Sequence, residues 1–103
     1  MIYHVTYKNI LKFQKNRADY LHWLETNWPR QKLWGATSYR LWSGREKDKR
    51  LLFCRYTVTD LERWTESASS PKNQNLIRQL SRIIDMDQIS MKITSRKSGH
   101  AKA

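Results

Sequence analysis

Few side chains in this chain carry chemistry of their own, and those few are scattered. The histidines are His4, His22 and His100, and the one cysteine is Cys54. Spread this way they do not assemble a ligand set, so no metal is expected. No Ser-His-Asp order, glycine-rich phosphate loop or paired carboxylates stand out, and Gly35, Gly44 and Gly99 are isolated. What the chain has in quantity is rings and cations: five Trp, five Tyr, and 20 Lys and Arg against 9 Asp and Glu, a net charge of +11. That balance either suits an anionic partner, nucleic acid included, or serves solubility.

Rings and cations are densest in Thr37 to Val58, TSYRLWSGREKDKRLLFCRYTV. Ser43 to Arg50 lacks apolar residues and holds a glycine, so it reads as the loop of a β-hairpin. Leu51 to Val58 has the profile of a central strand. Its alternate set Leu52, Cys54, Tyr56 and Val58 is apolar and belongs to a core, where the thiol would be inert. The other set, Leu51, Phe53, Arg55 and Thr57, is neither plain core nor plain solvent face.

Ile2 to Lys8 alternates and reads as the first strand, with Tyr3, Val5 and Tyr7 on one face. From about Phe13 the period becomes helical, with Ala18, Leu21, Leu24 and Trp28 as the stripe. Pro29 predicts an end near Asn27 or Trp28, and Gly35 marks the turn into the hairpin. A second helix opens at Thr59 or Asp60 and carries Leu61 and Trp64. Pro71 opens the next, with Leu76, Ile77, Leu80, Ile83 and Ile84 on one side. Gln88 to Thr94 alternates again, with Ile89, Met91 and Ile93 expected in the core.

The order β-α-β-β-α-β predicts the α+β ferredoxin-like plait. This is a four-stranded antiparallel sheet with both helices on one face and the first and third strands central. The other face then collects His4, Arg40, Trp42, Phe53 and Arg55, together with Ile2 and Leu51. Leaving such apolar groups in water forgoes roughly 1.5–3 kcal/mol each. One cover is a second copy of the chain, sheet on sheet, in which Arg55 would need a partner because no Asp or Glu is expected on this face. The other is single-stranded RNA, since Lys49 to Tyr56, KRLLFCRY, matches the RNP1 pattern loosely at Lys49, Phe53 and Tyr56.

The chain also resembles the dimeric α/β-barrel superfamily, and within it the antibiotic-biosynthesis-monooxygenase-like domains. The residues that carry the resemblance are Tyr20-Leu21-His22-Trp23-Leu24, Trp34-Gly35-Ala36, Tyr39-Arg40-Leu41-Trp42, Leu61-Glu62-Arg63-Trp64 and Ser70-Pro71-Lys72-Asn73-Gln74. The resemblance implies a homodimer closed into a barrel. Trp and Tyr bracket a space between sheet and helices near Tyr7, Asn9, Trp23 and Trp64, with Asn73 a further candidate, so a planar or aromatic organic ligand is expected there. The resemblance implies activity like that of cofactor-free monooxygenases, and the alternative is a non-catalytic, ligand-binding dimer. Haem-degrading members use an Asn, a Trp and a His. Asn9 and Trp64 fall near the first two and so become the catalytic candidates, but Asn73 or Gln74 stands where the His should be. Haem is therefore not expected, nor any other cofactor.

Residues 1–95 are expected to form one domain, and 96–103 a basic flexible tail. No apolar run approaches the length of a membrane span, and no signal peptide is seen. With a lone cysteine, these features fit a cytoplasmic protein.

Overall fold

The structure, a computed structural model, describes residues 1–96, with only the backbone described at Arg96. The strands are β1 (Ile2–Ile10), β2 (Ala36–Glu46), β3 (Lys49–Val58) and β4 (Ser90–Arg96). The helices are α1 (Arg17–Leu33), α2 (Leu61–Ala68) and α3 (Gln74–Leu80), with 3₁₀ turns at Pro71–Asn73 and Met86–Gln88. One sheet has the order β2-β3-β1-β4, every neighbouring pair antiparallel. This is the expected ferredoxin-like arrangement, with β1 and β3 central and the second helical segment split in two. His100 and the tail beyond Arg96 lie outside the described residues.

Local chemistry explains most element ends. Asn16 caps α1 by accepting from the amides of Ala18 and Asp19, while Asp19 accepts from the Asn16 amide. Gly35 follows α1 at φ +108°, a conformation that favours glycine. A Cβ there would also press within 3.3 Å of Asp60. Asp60, rather than Thr59, caps α2 by accepting from the Arg63 amide at 3.0 Å. Val5, Leu52, Cys54, Tyr56 and Val58 face the helices and are buried, as the alternation predicted.

Four expectations are corrected. First, α1 runs through Pro29 to Leu33. Packing overrides the local penalty: Gln31 and Trp34, beyond the proline, are both buried against the sheet side. The buried stripe is also rotated, to Tyr20, Trp23, Leu24, Asn27 and Gln31, with Ala18 exposed. Second, the charged loop shrinks to Lys47 and Asp48, with Lys47 at φ 56°; Ser43–Glu46 pairs with Lys49–Leu52 as strand. Third, Met91 and Ile93 lie on the helix side, opposite Tyr7 and Val5, but are 53% and 40% exposed. None of the three helices covers that edge. Fourth, α3 stops at Leu80; Ile83 and Ile84 are buried in the turn that follows, where Leu11 bridges to Ile84. Among the described residues no helix is long and apolar enough to cross a membrane.

Candidate functional site

Between sheet and helices lies a cavity of ≈ 180 Å³. Six aromatic residues line it: Tyr7, Tyr20, Tyr56, Trp23, Trp34 and Trp64. They brace one another, with centroids 4.6 Å apart for Tyr56–Trp64 and 5.5 Å for Trp34–Trp64. Strand alternation places Tyr7 and Tyr56 there, and Leu76, Leu80, Met86 and Ile89 close the far side. Among the described residues Gln31 contributes the one amide, and no charged side chain lines the space.

Hydrogen bonds fix this wall across elements. Trp64 Nε1 donates to Tyr7 Oη at 3.2 Å, joining α2 to β1. Trp23 Nε1 donates to the Leu76 carbonyl at 3.0 Å, joining α1 to α3. Gln31 Nε2 donates to Tyr56 Oη at 2.9 Å, while Gln31 Oε1 is buried without a partner. Burial pushes the Tyr7 phenol above its usual range, opposed in part by the Trp64 N–H. Burial pushes Tyr20 and Tyr56 well up and the Cys54 thiol up to about 12. The wall is therefore uncharged at neutral pH.

Of the residues proposed from sequence, the structure brings Tyr7, Trp23 and Trp64 together around the cavity. Asn9 is fully buried behind it, donating through Nδ2 to the Leu52 carbonyl at 3.0 Å and to Tyr20 Oη at 3.4 Å; its Oδ1 has no partner. Asn73 is outside the wall and donates to the Ser67 carbonyl at 2.6 Å, tying the turn between α2 and α3. Tyr20, which with Trp23 widens the apolar surface of α1, lines the wall as well, whereas sequence reasoning missed Gln31, Trp34 and Tyr56. For Gln31 a signal existed: with Trp23 and Asn27 it repeats every fourth position, on one helix face.

The sheet's other face is open in the single chain. Trp42 and Phe53 stack at 5.3 Å with an interplanar angle of 8°. The guanidinium carbons of Arg55 and Arg40 lie 5.2 and 5.9 Å from the Trp42 centroid. Arg55 Nε also donates to Thr6 Oγ1 at 3.2 Å, and His4 Nδ1 lies 3.5 Å from Thr57 Oγ1. One expectation changes here. The face does hold a carboxylate, because the shortened turn puts Glu46 on β2, 3.2 Å from Lys8 Nζ. That ion pair crosses β3 above Leu51, which is only 5% exposed. Of the aromatic positions in the RNP1-like run, Phe53 is on this face, whereas Tyr56 is buried under the helices.

Haem does not fit the cavity. Among the described residues its wall has no imidazole, His4 stands on the opposite sheet face, His22 is exposed on α1, and a tetrapyrrole exceeds the volume. Among the described residues no three His, Cys, Asp or Glu cluster to hold a metal ion.

No family model and no curated protein matches the sequence. Solved structures do match the fold over nearly the whole chain. A hydroxynitrile lyase from Passiflora edulis superposes with a TM-score of 0.65 at 9% identity, over 96% of each chain. A putative antibiotic biosynthesis monooxygenase from Chloroflexus aurantiacus gives 0.62 at 18% identity, over 96% of this chain and 98% of that one. SnoaB, a cofactor-independent oxygenase from Streptomyces nogalater, gives 0.55 at 13% identity, over 98% and 97%. The chain thus shares the ferredoxin-like fold of antibiotic-biosynthesis-monooxygenase-like proteins. A lyase and an oxygenase on the same fold show why the fold alone selects no reaction.

Proposed function

We propose that this chain binds a small uncharged aromatic compound in the cavity between sheet and helices. The observation that carries this is a wall of six rings without a charged side chain around ≈ 180 Å³. An apolar cavity of about 150 Å³ accepts benzene, so this volume suits one substituted ring rather than a fused polycycle. Trp23, Trp34 and Trp64 report on the space directly. Titration with toluene and phenol is expected to give saturable fluorescence quenching, and phenanthrene none. The reading fails if no one-ring compound produces a saturable change.

Oxygenase activity is the second reading, supported by the descriptions of two similar structures and by the paired N–H and O–H of Trp64 and Tyr7. The Trp64 N–H is spent on Tyr7 Oη, so the donor left for a developing oxyanion is the Tyr7 O–H. Trp64 would act at the cavity and Asn9 through Tyr20. The wall offers no carboxylate or imidazole as base, so a substrate would have to ionise before entering. Oxygen uptake with one-ring hydroquinones, above the protein-free rate and lost in Trp64→Phe, would support it; uptake at the protein-free rate would end it.

The partner we propose is a second copy, docked sheet on sheet through Trp42 and Phe53, with His4, Arg40 and Arg55 around them. A solution mass near twice 12.4 kDa is expected, and a monomer at all concentrations would refute it.

A further inference from the structure

The cavity's hydrogen-bonding groups are unbalanced in a way that bears on the ligand. Tyr7 Oη receives the Trp64 indole N–H, a group that can only donate. The phenol's own proton therefore points away from Trp64, and no protein acceptor for it occurs among the described residues. A hydroxyl that already accepts is polarised toward donating. Trp34 Nε1 is a second wall donor without a partner among the described residues. Strong acceptors are lacking: Gln31 Oε1 is unpaired but sealed from solvent, so it does not meet the void. Among the described residues the wall has no cation either, so a carboxylate or phenolate would enter without a counter-charge.

Building on the cavity reading, we infer that the ligand is a neutral one-ring compound bearing a carbonyl oxygen that accepts from Tyr7 Oη. Trp64 sets that hydroxyl, which makes Tyr7 the residue that separates carbonyl-bearing rings from plain hydrocarbon rings. A buried donor left unpaired penalises the wrong ligand, which is why one hydroxyl suffices for selection.

The test compares acetophenone, ethylbenzene and benzoate by calorimetry and tryptophan fluorescence on the full chain. Acetophenone is expected to bind about tenfold more tightly than ethylbenzene, the ratio one buried hydrogen bond supports. Benzoate is expected not to bind. Tyr7→Phe should bring the ratio to about one, with folding checked by circular dichroism. Trp64→Phe, which frees the hydroxyl without removing it, should give an intermediate ratio and keeps the test decisive if the first variant misfolds. Equal affinities in the parent chain, or a ratio that survives both variants, would overturn the inference while leaving the cavity reading intact. Failure of every one-ring compound to bind would overturn both.

Discussion

Gln31 and Tyr56 show how two polar side chains sit inside a wall of rings. The Gln31 amide gives one proton to Tyr56 Oη and leaves its own oxygen unpaired. Tyr56→Phe would strand the whole amide, and should lower stability by about 1–3 kcal/mol. Gln31→Met added to it removes the stranded group, so the double variant should recover much of that loss; chemical denaturation of the four proteins measures the coupling. Cys54 gives a second residue-scale prediction. Its folded pKa of about 12 lies above the ordinary thiol value of 9.0. The stability it contributes is fully present below pH 9 and is lost as pH rises toward 12. Denaturation midpoints should fall across that window, less steeply in Cys54→Ala, and the native thiol should react slowly with disulfide reagents at pH 7. Cys54 was legible in the sequence because strand alternation alone places it. Gln31 was legible only in part: its spacing from Trp23 and Asn27 puts it on their helix face, but a glutamine reads as solvent-facing until its partner on another element is known.

Elements in this chain are set by local signals except where long-range packing outweighs them. Pro29 is exposed and sits inside α1, where it deprives the Glu25 carbonyl of its helical donor. The rule that ended the helix there was sound; burial of Gln31 and Trp34 beyond it was invisible without the sheet. Pro29→Ala should restore the bond and raise stability by up to about 3 kcal/mol, read as an increased thermal midpoint. The hairpin loop was overestimated for a related reason. Ser43 to Glu46 and Lys49 to Arg50 are polar, yet they pair at the hairpin's far end, where strands need no apolar face. On β4 the alternation was read correctly, but periodicity does not say how far a helix reaches, so Met91 and Ile93 were placed in a core that ends before them.

At the scale of the whole molecule, strand order and the sidedness of the sheet were readable because one face of β1 and β3, Asn9 apart, is built of apolar and aromatic residues from Tyr3 to Tyr7 and from Leu52 to Val58. The cavity was harder to read, since its wall is drawn from β1, β3, α1, α2, α3 and the segment after α3. The +11 charge separates the partner readings. Two copies meeting at a face that carries Arg40, Arg55 and Lys8 against Glu46 repel each other, so salt should tighten a dimer. Single-stranded RNA would lose affinity with salt instead. Sedimentation and fluorescence polarisation at 50 and 500 mM salt therefore move in opposite directions, and a salt-insensitive dimer would contradict the assignment of these cations to its interface. The tight reversal at Lys47–Asp48 has a consequence for how the chain reaches this state. β2 and β3 zip together from neighbouring residues, whereas β4 must return from the end of the chain to find β1. The hairpin is thus the natural folding nucleus and β4 the last piece to lock. Lys47, holding a left-handed conformation uncommon for lysine, acts as a brake on the first step.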